Sequence, residues 1–251
     1  MENKVNILGV NVDKVNIEEA VDAIFKMLDE RKSHSIFTPN SEIILNAYKN
    51  KDFCDILNNA DLLTADGIGV VYASKILGNP IKSRAAGYDI ACGLIDRIAE
   101  TGHRLYLFGG KPGIAEKAKY QLEKRYPFIQ IVGTRNGYFD EADTKDIIND
   151  INSVGAEIVF VCLGAPKQEE WIAENQDKLS AKVLMGIGGS LDVFAGEVER
   201  APEFWCNNGL EWLYRLIKEP WRFKRMLALP KFALTVLLKG RKFGKEDTID
   251  G

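Results

Sequence analysis

The chain is 251 residues long, with 33 Lys and Arg against 36 Asp and Glu for a formal charge of −3, and 46% of its residues are hydrophobic. That is the make-up of a globular protein with a full core, built as one large domain or as one domain plus an appendage. No apolar run approaches the roughly 18 residues of a membrane-spanning helix, the Met1-Glu-Asn-Lys-Val start lacks a signal-peptide core, and the two His argue against a His-based metal site or triad.

In chain order, Ile17–Arg31 places Ala20, Val21, Ile24, Phe25 and Leu28 on one face behind Asn16 and an acidic first turn, which predicts a helix capped by Asn16. Short apolar runs at 35–37, 62–64, 105–108, 129–132, 158–162 and 183–187 predict strands. Helical patterns near 41–59, 68–77, 88–101, 113–125, 141–152 and 167–178 separate most of them, with Asp140-Glu-Ala-Asp143 reading as a helix start. This alternation predicts an α/β fold, a mainly parallel Rossmann-like sheet with helices on both faces. Cys54, Cys92, Cys162 and Cys206 are far apart and mostly in apolar segments, so buried free thiols are expected. Composition shifts once, between Gly196 and Gly209, which divides an expected body at 1–195 from a C-terminal helical appendage at 196–251.

Ligands collect at the carboxyl ends of the strands in such a sheet. Every predicted strand ends in a polar or glycine-rich turn: Thr38-Pro-Asn40, Thr64-Ala-Asp66-Gly-Ile-Gly69, Gly109-Gly-Lys-Pro-Gly113, Gly133-Thr-Arg-Asn-Gly-Tyr138, Leu163-Gly-Ala-Pro-Lys-Gln168 and Gly188-Gly-Ser-Leu-Asp192. Together they predict one long crevice. The pairs Gly109-Gly110 and Gly188-Gly189 either present backbone N–H groups to a phosphate or simply turn a strand into a helix. The first pair lacks the full G-x-G-x-x-G spacing and its ribose-binding acid, so a nicotinamide cofactor fits poorly and no cofactor is expected.

Asp66 follows a strand, is flanked by Gly67 and Gly69, and opens an apolar helix. It reads either as a helix cap or as a working carboxylate. The chain has no D-x-D pair, so no metal is expected. Leaving-group charge would then fall to backbone dipoles and to cations, for which Arg84, Lys167, Arg215, Arg222 and Arg225 are candidates.

The last segment differs in charge. Glu211–Lys245 holds ten Lys and Arg against two Glu (+8), whereas Met1–Leu210 holds 23 against 31 acidic residues (−8). Aromatics and leucines interleave with these cations, which predicts attraction to an anionic membrane surface with shallow insertion, or else an amphipathic helix packed on its own domain. Nucleic acid is not expected, because the apolar run Phe232–Leu238 has no use against phosphate.

Thr64-Ala-Asp-Gly-Ile-Gly-Val-Val, Ala86-Gly-Tyr-Asp, Phe108-Gly-Gly-Lys-Pro-Gly, Leu163-Gly-Ala-Pro-Lys-Gln-Glu, Gly186-Ile-Gly-Gly-Ser-Leu-Asp, Arg200-Ala-Pro and Gly209-Leu-Glu-Trp-Leu-Tyr-Arg-Leu-Ile-Lys-Glu-Pro occur in this order along nearly the whole chain. In these segments it resembles the bacterial WecG/TagA/CpsF glycosyltransferases, most of all the teichoic-acid branch. Only Pro202–Gly209 departs, being more polar than the family's usual segment.

The resemblance implies inverting, metal-independent transfer of N-acetylmannosamine from its UDP donor to the 4-hydroxyl of undecaprenyl-diphospho-N-acetylglucosamine, the first committed step of the wall teichoic acid linkage unit. It implies Asp66 as base and Thr38 and Asn40 at the acceptor. From strand-end position, and not from the resemblance, Arg84 and Gln168 are expected to hold the donor, Gly188, Gly189 and Asp192 to sit near the nucleotide, and Tyr138 to offer a stacking surface for uracil. The expected location is the cytoplasm, peripheral on the inner face of the cell membrane, with a homo-oligomer left open. Two alternatives stand beside this reading: transfer of a mannosaminuronate or glucose, or a non-catalytic nucleotide-binding membrane adaptor.

Overall fold

A computed structural model describes residues 3–220 and 223–243. Six strands form one wholly parallel sheet in the order β4-β3-β8-β7-β5-β6. They are β3 (His34–Phe37), β4 (Leu62–Leu63), β5 (Arg104–Gly109), β6 (Gln130–Arg135), β7 (Ile158–Cys162) and β8 (Val183–Gly186). The helices are α1 (Ile17–Met27), α2 (Ser41–Ala47), α3 (Lys51–Asn58), α4 (Ile68–Ile76), α5 (Gly87–Thr101), α6 (Ile114–Arg125), α7 (Thr144–Ser153), α8 (Lys167–Asn175) and α9 (Ser190–Phe194). Their packing follows from strand alternation: Val159 and Val161 of β7 enter one core cluster, while Ile158, Phe160 and Cys162 enter the other. One face is covered by α2, α3, α4, α7 and α8, and the opposite face by α1, α5, α6 and α9. The expected Rossmann-like architecture is present.

Local signals act as read at several ends. The Asn16 side chain accepts from the Glu19 N–H at 2.8 Å while Glu19 accepts from the Asn16 N–H, a closed capping box at the start of α1. Asp140 and Asp143 exchange the same kind of bond ahead of α7.

Other stretches differ. The helix expected over 41–59 is two helices, because the Asn50 side chain accepts from the Phe53 N–H and starts α3 afresh. Helix α1 stops at Met27 rather than Arg31. An antiparallel hairpin, β1 (Lys4–Ile7) with β2 (Val10–Asp13), precedes α1 and was not anticipated. Its two turn residues, Leu8 (φ 55°) and Gly9 (φ 96°), both take left-handed backbone, the geometry that suits a two-residue hairpin. All four cysteines are free, but only Cys162 is buried; Cys54, Cys92 and Cys206 are half-buried.

Past residue 196 the chain forms α10 (Glu203–Asn207), α11 (Glu211–Lys218), α12 (Phe223–Met226) and α13 (Ala228–Phe243). Helix α13 lies against α2, α4 and β1. Phe232 and Val236 are buried in the same core cluster as α2 and α4, and Phe243 meets Tyr48 edge-on at 6.0 Å. The other side of α13 shows Leu234, Leu237 and Leu238 to solvent. This helix therefore has one apolar side docked on the body and another left bare. No described helix is long and apolar enough to cross a membrane.

Candidate active site

Strand order decides which turns meet. Because β4, β3, β8 and β7 are consecutive neighbours, the turns that follow them wall one polar cavity of about 530 Å³. The turns after β5 and β6 lie toward the far edge and bond to each other, Gly137 N–H donating to the Gly110 carbonyl at 2.8 Å. The expected single crevice thus gathers four of the six turns. Beside it runs a second, mainly apolar groove of about 460 Å³ between α4 and the α11–α13 segment. Both cavities are lined by Asn40, Glu42, Asp66, Glu211 and Arg215.

Asp66 stands where the two meet. The turn that carries it needs Gly67, whose φ of 91° suits no side chain. Helix α4 begins after Gly67 with no side-chain capping bond, so the cap reading of Asp66 is not realised. Burial raises the Asp66 pKa to about 6, the Glu211 charge pushes the same way, Arg84 and Arg215 oppose, and Asp89 adds a further small rise.

Around Asp66 lies an ion-pair web that joins body and tail. Arg84 donates to Glu211 at 2.6 Å and to Asp89 at 3.0 Å. Arg215 donates to the other Glu211 oxygen at 2.6 Å, and Arg200 donates to Asp89. Arg200 also lies 4.6 Å over the Tyr88 ring, which stacks on Phe194 at 5.0 Å. Burial disfavours the Glu211 charge, yet Arg215, Arg84 and Arg200 outweigh it and hold its pKa below the ordinary range. Three guanidinium groups, those of Arg84, Arg200 and Arg215, therefore stand among three carboxylates, Asp66, Asp89 and Glu211, around the junction of the two cavities.

The other expected residues divide. Thr38 is buried in the wall of the polar cavity, which Gly188, Gly189 and Asp192 also line. Asn40 lines both cavities and caps α2, its Oδ1 accepting from the Glu42 and Ile43 N–H groups at 2.9 and 3.1 Å. Gln168 is in the wall, but its amide is engaged: Oε1 accepts from the Gly188 N–H at 3.0 Å and Nε2 donates to Glu169 at 2.8 Å. It shapes the Gly188 turn instead of presenting a free donor.

Gly109, Gly110 and Tyr138 line neither cavity. Gly109 is required by the approach of β7, since a Cβ there would stand 2.3 Å from the Cys162 carbonyl oxygen, and Tyr138 is exposed. Lys167 lies 4.1 Å over Phe139, also outside both linings. Arg222 and the Arg225 side chain lie outside the described residues. Asp89, Arg200 and Glu211 were missed. The available signal was Coulombic: cations proposed around one buried carboxylate need counter-ions, and Asp89 and Glu211 supply them. Among the described residues no group of three or more His, Cys, Asp or Glu could hold a metal ion.

Known proteins match this sequence along almost the full chain. A relative from Bacillus subtilis (strain 168) is 38% identical over 223 residues, covering 88% of this chain and 86% of that protein. One from Bacillus spizizenii is 37% identical, covering 87% and 84%. One from Staphylococcus aureus (strain MRSA252) is 34% identical over 245 residues, covering 96% and 95%. Each of the three is named N-acetylglucosaminyldiphosphoundecaprenol N-acetyl-beta-D-mannosaminyltransferase. The model of the Glycosyl transferase WecG/TagA/CpsF family matches residues 5–246, taking in the parallel sheet, the Asp66 turn and α11 to α13 alike, and this chain belongs to that family.

Proposed function

We propose that this protein transfers N-acetylmannosamine from UDP-N-acetylmannosamine to the 4-hydroxyl of undecaprenyl-diphospho-N-acetylglucosamine, building the wall teichoic acid linkage unit. The observation that carries the reading is Asp66 at the junction of a polar cavity and an apolar groove, within a ring of three arginines. The relatives' printed name gives the donor sugar and the acceptor.

The donor occupies the polar cavity and the acceptor sugar enters beside Thr38 and Asn40. As the acceptor 4-oxygen attacks the anomeric carbon, Asp66 takes its proton. The bond from that carbon to the UDP oxygen breaks on the opposite face, which inverts the centre and gives the β-linked sugar of the relatives' name. Arg200 and Arg215 in the wall of the polar cavity, with Arg84 tied to that wall through Glu211 and Asp89, neutralise charge on the departing UDP, and a positioned base contributes roughly 10²- to 10⁴-fold. The exposed Phe223, Leu227, Leu234, Leu237 and Leu238, with exposed Lys231, Lys239 and Lys242, hold the protein against the anionic inner face of the membrane.

The test offers purified protein a panel of UDP-sugars (N-acetylmannosamine, N-acetylglucosamine, glucose and N-acetylmannosaminuronate) with a lipid-diphosphate N-acetylglucosamine acceptor. Transfer from UDP-N-acetylmannosamine in clear preference to the others supports the reading. Preference for another donor, or UDP-sugar binding without transfer, contradicts it.

A further inference from the structure

Glu169 is a carboxylate in the core. It sits in the first turn of α8 and is only 1% exposed. One of its oxygens accepts from Gln168 Nε2 at 2.8 Å, and the other has no hydrogen-bond partner among the described residues. Burial raises its pKa to about 7, with the bonds from Gln168 and from the Glu169 N–H opposing. Such a group costs stability, and an apolar side chain of the same size would fill the space without that cost. An acid in the first turn of a helix is favoured by the macrodipole, but the half-buried Glu170 beside it already meets that need.

The Gln168 amide lies between Glu169 and the polar cavity. Its Oε1 accepts from the Gly188 N–H at 3.0 Å, and Gly188 and Gly189 line the cavity, whereas Glu169 lines neither cavity. An amide has a donor end and an acceptor end of nearly one shape, so its orientation is set by its neighbours. Turned over, it would aim its own N–H at the Gly188 N–H, and the turn would lose its bond. An ionised carboxylate only accepts, and a protonated one still accepts at its carbonyl oxygen, so Glu169 holds the nitrogen end of the amide in either state. The slot is tight on the β8 side as well, where a Cβ at Gly186 would stand 2.9 Å from Gln168 Nε2.

We propose that Glu169 is a positioning residue for the donor: acting through the Gln168 amide, it fixes the Gly188–Gly189 turn in the shape that receives the nucleotide. This role rests on the donor site placed in the polar cavity above and deepens it, since it assigns the shape of one cavity wall to a side chain that touches no ligand.

The experiment compares the full wild-type chain with Glu169→Met, which fills the same space without an acceptor, and Glu169→Gln, which keeps one. Amide hydrogen exchange at Gly188 is followed by NMR without ligand, UDP binding by calorimetry, and transfer by steady-state kinetics. In Glu169→Met the Gly188 N–H should exchange ~tenfold faster and UDP should bind ~tenfold more weakly, the size of one lost hydrogen bond. The donor KM should rise by a similar factor while kcat stays within about threefold, because ground-state binding is what is lost. Glu169→Gln should restore all of these to wild-type values. If Glu169→Met does not fold, Glu169→Asp, one methylene shorter, withdraws the acceptor and should give the same pattern. Equal effects of the Met and Gln variants overturn the proposal. So does an unchanged Gly188 exchange rate, faster exchange with unchanged UDP affinity, or a loss confined to kcat or to thermal stability. The wild-type chain alone tests the donor reading: UDP binding and transfer with unresponsive variants sink the relay and spare that reading, whereas Gly188 exchange that follows Glu169 in a chain that binds no UDP keeps the hold on the turn and sinks the donor.

Discussion

Asp66 is poised by its surroundings, and those surroundings set the sign of two predictions. Its carboxyl is raised from an ordinary 3.8 to about 6, mainly by burial. The folded protein therefore binds a proton that the unfolded chain has already released between these pH values, and stability falls as pH rises through that window. Asp66→Asn removes the penalty. Above pH 6 it should raise stability by up to ~3 kcal/mol while losing most turnover, and the gain should vanish below pH 4; denaturant melts at both pH values check this. A variant that is less stable at pH 8 would make Asp66 a structural group. Glu211 is the next cause of the raised value. Glu211→Gln removes that negative charge and releases Arg84 and Arg215, so the acid limb of kcat/KM should move below pH 6. An unmoved limb would separate Glu211 from Asp66.

At this scale the sequence is informative where one residue's chemistry suffices. Asp66, Thr38 and Asn40 line the polar cavity, and Arg84 and Arg215 meet at Glu211 beside Asp66. It is less informative where identity depends on a partner in another element, 20 residues away for Gln168 and 127 for Glu211. Gln168 looks like a free amide until Gly188 is seen bonded to it, and Glu211, whose i+4 pair with Arg215 is local, gives no sign that it also reaches Arg84.

Among the elements, α13 is the one whose role sequence periodicity underdetermines. Its hydrophobic residues read as one amphipathic helix, yet Phe232 and Val236 face the body while Leu234, Leu237 and Leu238 do not. A helical pattern tells that a face exists; only packing on α2 and α4 decides which residues form it. Phe232→Ala should cost about 3 to 5 kcal/mol if α13 is part of the core, and hydrogen exchange should show α13 opening more often than β7. A loss under about 1 kcal/mol would mean that the helix is only loosely laid on the body. The strands of the sheet were legible because each is a short β-branched or leucine run with a turn at its carboxyl end. The β1–β2 hairpin escaped because its strands are four residues long and its turn, Leu8-Gly9, lacks the Asn-Gly or Asp-Gly signature. The break in 41–59 turns on Asn50 capping a new helix, a competition that apolar spacing does not register.

Over the whole molecule, charge divides between Met1–Leu210 at −8 and Glu211–Lys245 at +8, and the bare apolar side of α13 lies on the cationic part. Attachment to anionic vesicles should accordingly weaken as salt rises, because screening shortens the reach of each lysine and arginine. Salt-independent attachment in a flotation assay would indicate a purely hydrophobic anchor. Turnover should persist in excess EDTA, with Arg84, Arg200 and Arg215 carrying the diphosphate charge; activity lost to chelator and restored by magnesium or manganese would reassign that task to an ion. The central claim is that Asp66, at the meeting point of the two cavities, takes the acceptor proton. It is tested most directly by single-turnover rates of sugar transfer as a function of pH for the wild-type chain and Asp66→Asn. The account predicts a wild-type rate that rises through an apparent pKa near 6 and a variant that is roughly 10²- to 10⁴-fold slower and flat across the same range. A variant that keeps the wild-type rate, or the same acid limb, would contradict it.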